Sequence, residues 1–245
     1  MDIFQTGLIY KLQFTQSWHV WAVLISSVVI SIIVSYLLGS INSAIIISKI
    51  LYKDDIRKYG SGNAGLTNML RTYGKGAAAL TLAGDMLKTA LAIVFTAFIF
   101  GFDYNCGISL NDGYCYIAGL FAVLGHVYPI YYGFRGGKGV LVTSTMALIL
   151  TPVPFLILLA VFIAIVAASK YVSLGSVSVA VLYPVVVNAY FKLMFNSAPP
   201  GILSLCIIIL AIFIVWCHKD NLKRISDRTE SKLSFGGKKK KEEDE

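Results

Sequence analysis

Apolar positions along the chain fall into seven blocks divided by polar, glycine-rich stretches: about Trp18 to Ile50, Ala77 to Phe102, Tyr114 to Tyr132, Val140 to Leu150, Phe155 to Ser169, Tyr171 to Phe191 and Ile202 to Cys217. The longest exceed the roughly 18 residues with few charges that suffice to cross a bilayer as a helix. Blocks four and five are short, and Pro152 and Pro154 between them fit either a turn or a kink in one span. The basic residues decide between six and seven spans. Seven put 18 of the 21 Lys and Arg on one side, leaving Lys11 and Lys192 on the other and Lys88 inside an apolar block. Six would send Lys170 and every base from Lys219 onward to the side opposite the 52–75 loop, against the positive-inside bias. The pattern predicts an all-α fold: a polytopic integral membrane helical bundle of seven transmembrane helices, N-terminus out and C-terminus cytoplasmic.

The first block lacks the basic leader of a cleavable signal and its apolar stretch is too long for one, so it is expected to stay in the mature protein. Residues 1–234 are expected to form a single transmembrane domain. Residues 235–245 form a charged tail with too little apolar content to fold. Phe4, Leu8 and Leu12 recur every four residues, which fits an interfacial helix on the outer leaflet.

Composition sharpens this picture. Of 245 residues 57% are hydrophobic and 14% charged, against about 25% charged in a soluble domain. That excludes a disordered chain and argues against a soluble enzyme. The net charge is +8, yet the four Lys of the last eight residues are cancelled by four acids, so the excess sits in the body. No basic stripe interleaved with aromatics supports nucleic-acid binding. Cys106, Cys115, Cys206 and Cys217 have no CxxC spacing and no His cluster, so no metal site is expected from them. A Cys106–Cys115 disulfide stays open, depending on whether their loop faces an oxidising space.

Polar and glycine-rich residues concentrate in four places, all on one side under the seven-span topology: Gly60 to Lys75, Gly125 to Gly139, Lys170 to Ser176 and His218 to Glu230. Convergence on one face suggests one site, whereas a transporter is expected to gather its polar groups near the midplane. In the first cluster Gly60, Gly62 and Gly65 match G-x-G-x-x-G, but no strand precedes them, so the dinucleotide reading fails. What remains is small residues with Ser61, Asn63, Thr67 and Asn68, and Arg71 and Lys75 close by. That inventory suits a phosphate, and equally a capped loop whose bases face lipid headgroups.

The second cluster, GHVYPIYYGFRGGKGV, is not a Walker A loop, because Gly139 follows Lys138 where Ser or Thr should hold magnesium. Gly136, Gly137 and Gly139 still allow backbone amides and Lys138 to close around an anion. A plain inter-helix turn would explain the glycines but not Arg135 and Lys138 beside them. His126, next to Gly125, is expected to be a packing residue. Asp85 and Lys88 share a helix face at about 13 to 18 Å depth if the helix enters near Gly76, and a charge there must be paired. His218, Asn221 and Arg224 recur every three residues beyond the seventh block and share a face if the helix continues.

Together these motifs resemble one family, the PlsY-type acyl-phosphate:glycerol-3-phosphate acyltransferases of bacterial membranes. The resemblance runs from about Tyr36 to Glu230. It includes YLLGSI, SGNAGLTNMLRTYGKG, the D-x-x-K pair, GHVYP followed by FRGGKGV, KYVSLGS and H-x-x-N-x-x-R ahead of Glu230. Asn42, Thr89, Arg135 and Arg228 stand where the family commonly has Pro, Gly, Lys and Gly.

The resemblance implies a membrane enzyme that moves a fatty acyl group from acyl phosphate to the 1-hydroxyl of glycerol 3-phosphate, giving lysophosphatidate and phosphate, the first step of phospholipid synthesis. It implies Ser61 and Arg71 as essential groups near the acyl phosphate, with His218 and Asn221 as positioning groups in the catalytic set. The Gly136–Gly139 loop with Lys138 is implied to bind glycerol phosphate, joined in the substrate-binding set by Asn63, Thr67, Asn68, Lys75, Ser173 and Ser176. Asp85, Lys88, His126, Arg224 and Glu230 are expected to be structural. No cofactor or metal is expected, the assembly is expected to be a monomer, and the site is expected to face the cytoplasm of a bacterial cell. His-x4-Asp, the motif of related enzymes that use acyl-CoA, is absent: Leu24, Tyr131 and Lys223 stand five after the three histidines. The competing expectation is a small-anion transporter or channel, motivated by the spans and by Asp85 and Lys88, against which no internal repeat is found.

Overall fold

The computed structural model describes residues 7–9, 17–101 and 110–233. Phe4, Leu12, Cys106 and the 235–245 tail lie outside the described residues, and with them the expectations of an interfacial helix, a disulfide and a solvated tail. Among the described residues the chain contains helices and no strand. From Ser17 onward the α-helices are α1 (Ser17–Ser40), α2 (Ser43–Tyr52), α3 (Leu66–Tyr73), α4 (Lys75–Phe100), α5 (Leu110–Val127), α6 (Val140–Leu150), α7 (Pro152–Ser169), α8 (Val172–Phe195), α9 (Gly201–Cys217) and α10 (Lys219–Ser226). Short 3-10 turns cover Ile56–Lys58 and Ile130–Tyr132.

Among the described residues five stretches are long and apolar enough to cross a membrane: His19–Tyr52, α4, Gly113–Tyr132, α7 and α8. A sixth is formed if α9 and α10, bent by 52°, are taken as one. The difference from the seven expected spans lies in α6, which at 11 residues is about 16 Å long and reaches only about half-way through a hydrocarbon core of about 30 Å. The prolines mark a break between two helices. Thr151 closes α6 through its N–H to the Ala147 carbonyl, and Pro152 opens α7 at a position whose N–H would have no helical partner.

The first apolar block is also divided. At Asn42 the α-helical run stops, because the side-chain Oδ1 accepts from the Ile45 N–H (3.1 Å) and caps α2. Its Nδ2 donates to the Ala64 carbonyl at 3.2 Å, so this fully buried amide holds the first glycine-rich loop against the helix break. An N-cap residue type just ahead of the apolar run Ala44–Ile47 is the local signal for that start.

Close backbone packing joins α1 to α5. A Cβ at Gly39 would overlap the Ala122 backbone, and one at Gly125 the Tyr36 carbonyl, so these glycines let two helices approach as small residues do inside membranes. Further on, α4 packs on α1, α2, α3, α5 and α6, and α8 packs between α7 and α9. The main core is built from Tyr116, Val123, Met146, Val187, Phe191, Ile207 and Leu210. A second, smaller one of Ile45, Ile56, Ala64 and Met69 seats the loop between α2 and α4 at the polar end of the bundle.

Candidate active site

Loop one, between α2 and α4, is organised by the Asn68 amide. Its Oδ1 accepts from the Ser61 N–H (3.0 Å), while Nδ2 donates to the carbonyls of Tyr59 (2.9 Å), Asn63 (3.0 Å) and Ile56 (3.3 Å). With that amide spent on the loop, Asn68 shapes the site and holds Ser61 at its rim. Arg57 links this loop to the next: its Nη1 donates to the Tyr132 and Arg135 carbonyls (2.8 and 3.1 Å), and its Nη2 pairs with Asp55 at 2.7 Å. The guanidinium holds the Asp55 carboxyl below its usual range. Arg57 did not stand out in the sequence, since it acts on backbone groups far along the chain, and Asn42 stood out only as a departure from the family's usual Pro.

Loop two, 128–139, folds back on the end of α5. Gly136 N–H donates to the Val127 carbonyl (3.0 Å), Gly137 N–H to the His126 carbonyl (3.1 Å), and Ala64 N–H reaches the Gly136 carbonyl at 3.4 Å. The two glycine stretches therefore lie against each other. At Gly137 a Cβ would overlap the His126 imidazole and crowd the Ala64 carbonyl, so glycine is required there for close approach. Gly139, with φ of 79°, caps α6 in the left-handed region that favours glycine. The Gly136 and Gly137 N–H groups serve the loop itself, and of residues 136–139 Lys138 and Gly139 line the cavity. Lys75, exposed at the first turn of α4, does not line it either.

That cavity, about 760 Å³, has two chemically distinct ends. Ser61, Asn63, Thr67, Arg71, Lys138, His218 and Asn221 surround the polar end. Leu148, Phe155, Leu158, Phe162, Val179, Tyr183 and Leu210 surround the apolar one. The volume falls in the range of small-molecule sites, about 300 to 1,000 Å³. The hydroxyl of Thr143, on the cavity wall, is buried without a hydrogen-bond partner among the described residues.

Lys138 is positioned from the other half of the chain. Its ammonium donates to Asn221 Oδ1. Asn221 Nδ2 donates to Glu230 Oε1 at 2.6 Å, and the same carboxylate accepts from Ser173 Oγ (2.7 Å) and Arg224 Nε (2.7 Å). Glu230 thus ties α8, α10 and the segment after α10 together, and these donors hold its carboxyl below the usual range against the cost of burial. Burial, with Arg224 adding to it, pulls the Lys138 ammonium down from its ordinary value. The hydroxyl of Ser173 is spent on Glu230, and that of Ser176 on the Val172 carbonyl at 2.9 Å.

His218 caps α9 at the 52° bend and is buried. Its Nδ1 lies 2.7 Å from the Ile214 carbonyl. A carbonyl only accepts, so Nδ1 carries the proton and Nε2 keeps its lone pair. Burial pushes this imidazole down to about 4, leaving it neutral at physiological pH. Arg71, half-buried on the cavity wall, makes no ion pair with the described residues.

Beneath the glycine loop lies a buried ionic cluster, of which Asp85 and His126 line the cavity. Lys88 Nζ contacts Asp85 Oδ1 (2.8 Å), His126 Nδ1 (2.9 Å) and the Ile41 carbonyl (2.8 Å). An ammonium donates, so His126 accepts at Nδ1 and keeps its proton on Nε2, beside Gly137. All three side chains are buried, which burial of charge inside a bundle demands. Removing one partner of such a pair costs about 3 to 5 kcal/mol.

Residues 29–228 match the family model described as glycerol-3-phosphate acyltransferase. The glycerol-3-phosphate acyltransferase of Thermoanaerobacter pseudethanolicus is 42% identical over 205 residues, covering 84% of this chain and 95% of that one. That of Bacillus subtilis is 37% identical over 204 residues, covering 83% and 96%. Among solved structures, PlsY, an integral membrane glycerol 3-phosphate acyltransferase, superposes in its glycerol 3-phosphate form with a TM-score of 0.73 at 29% identity, over 85% of this chain and 96% of the other. Its lysophosphatidic acid form gives 0.71 at 28%. A helical membrane bundle, glycine loops interlocked over one two-ended cavity and relatives matched over nearly their whole length agree, and the chain belongs to the glycerol-3-phosphate acyltransferase family.

Proposed function

We propose that this chain transfers a fatty acyl group from acyl phosphate to the 1-hydroxyl of glycerol 3-phosphate, releasing lysophosphatidate and phosphate. The single observation that carries the reading is the two-ended cavity: two cationic groups, Arg71 and Lys138, at one end and an apolar chamber at the other. Phosphorylated groups require the first and a fatty chain the second. Sizes agree as well. At roughly 30 Å³ per methylene, about the share of one liquid water, a sixteen-carbon chain needs about 480 Å³ of the cavity and leaves room for two small phosphorylated groups.

An acyl phosphate is already activated, so catalysis rests on orientation and on neutralising phosphate charge. Lys138, fixed through Asn221 and Glu230, binds the glycerol phosphate. Arg71, with the hydroxyl of Ser61, holds the acyl phosphate. The 1-hydroxyl oxygen attacks the acyl carbon, a C–O bond forms, the bond from that carbon to the phosphate oxygen breaks, and phosphate leaves. The hydroxyl proton passes to His218 Nε2 or to the departing phosphate. Seven spans, with α6 as the short one, an outside N-terminus and a cytoplasmic site in a bacterial plasma membrane complete the reading, supported by the one-sided basic loops. We expect a monomer.

The test is lysophosphatidate formation by the detergent-purified protein from palmitoyl phosphate and labelled glycerol 3-phosphate, with palmitoyl-CoA in parallel and Ser61→Ala as control. Product from the acyl phosphate alone, lost in the variant, supports donor, acceptor and site together. Robust transfer from palmitoyl-CoA would overturn the donor assignment. A transport reading finds no support in the deep ionisable residues, since the Asp85 carboxylate is paired with the Lys88 ammonium at 2.8 Å and that ammonium also contacts His126.

A further inference from the structure

The apolar chamber has a floor. On α8 the cavity is lined by Val172, Ser173, Ser176, Val179, Ala180 and Tyr183, one helical face that passes from hydroxyls to small apolar groups to an aromatic ring. It stops at Tyr183, although α8 continues to Phe195, and the next residue on that face, Val187, is fully buried in the core. The lining also ends at Leu148 on α6, Phe155 on α7 and Leu210 on α9. Tyr183 is buried, and its hydroxyl is hydrogen-bonded at 2.9 Å to Thr151 Oγ1, at the break between α6 and α7. Thr151 does not line the cavity. The ring is therefore pinned by a partner that does not line the chamber, which keeps it in place at the chamber's end.

We infer that Tyr183 sets the acyl-chain length this enzyme accepts, with the Thr151 hydrogen bond holding the ring in place. This rests on the acyl-phosphate reading above and adds a specificity-determining residue to it. Tyr183 lies eleven residues along α8 from Val172, about 16 Å at 1.5 Å per residue. An extended alkyl chain, with C–C bonds of about 1.5 Å, advances roughly 1.3 Å per carbon, so about 13 carbons fit between the polar end and the ring. A donor of about 14 carbons fills the chamber, and 16- and 18-carbon donors must bend or displace the ring, the longer one more. Each methylene excluded from an apolar site forfeits its burial, so discrimination between lengths two carbons apart is of the order of tenfold.

The experiment measures kcat/KM of the detergent-purified full chain for acyl phosphates of 12, 14, 16 and 18 carbons, in wild type, Tyr183→Ala and Ala180→Leu. Tyr183→Ala opens the floor and is expected to raise the 18- to 14-carbon rate ratio tenfold or more. Ala180→Leu, one turn nearer the polar end, is expected to move the optimum about three carbons shorter. Opposite shifts in two variants cannot come from general damage, because damage lowers all lengths together. A flat length profile in wild type, or an unchanged ratio in both variants while the 14-carbon donor still turns over, would overturn the inference and leave the donor assignment standing. Absence of product at every length in wild type would instead sink the acyl-phosphate reading.

Discussion

Replacing Glu230 by Gln isolates the anchor behind Lys138. The carboxylate accepts three hydrogen bonds on two oxygens, from Asn221 and Ser173 on Oε1 and from Arg224 on Oε2. An amide of the same shape has one accepting oxygen. If its oxygen faces Asn221 and Ser173, its NH₂ opposes the Arg224 Nε–H; if it flips, the NH₂ opposes two donors. At least one charge-assisted bond is lost either way, worth about 1.5 to 3 kcal/mol. Because Asn221 carries Lys138, that loss is felt at the glycerol phosphate position, and kcat/KM for glycerol 3-phosphate is expected to fall about 10- to 160-fold. A cycle with Asn221→Ala should show strong non-additivity, as both act through one ammonium. Activity within twofold of wild type, in protein of unchanged melting temperature, would refute the anchor. The same carboxylate also has a pH signature. Its folded-state pKa lies below the unfolded one, so its contribution to stability is complete above the ordinary carboxylate range and is lost as pH falls through the depressed value.

Arg71→Ala is expected to cost about 10- to 160-fold in kcat/KM, from about 1.5 to 3 kcal/mol of charge-assisted bonding, with Lys restoring part of it; full activity at normal protein levels would remove Arg71 from the site. If His218 Nε2 takes the proton, the acid limb of the pH–rate profile should fall near 4, where its imidazole protonates, and a limb near 6.5 would contradict a buried neutral histidine. Gly137→Ala should lose about 1 to 3 kcal/mol of stability, since its Cβ overlaps the His126 ring. Gly76→Ala, in open space in the first turn of α4, should stabilise by about 0.4 to 1 kcal/mol; equal melting temperatures for the two variants would refute the close approach.

By itself the sequence determined the helical membrane class, the positions of most spans and the concentration of polar groups between them. Those depend on hydropathy and local periodicity, which short windows contain. Ser61, Arg71, Lys138, His218 and Asn221 stand out in local patterns of glycine, amide and base, and all five line the cavity. Only the tertiary structure decided what those residues touch. Asn68 and Ser173, polar and near the site, spend their side chains on the loop and on Glu230, a distinction no local window holds. The break at Asn42 and the Arg57 bridge depend on backbone carbonyls 22 and 75 residues away. The Gly136 and Gly137 amides turned inward because α5 ends where their carbonyl acceptors lie. The floor at Tyr183 exists only because α6, α7, α8 and α9 meet there. Hydrogen-bond satisfaction and packing are properties of neighbours in space, and chain order does not encode them locally.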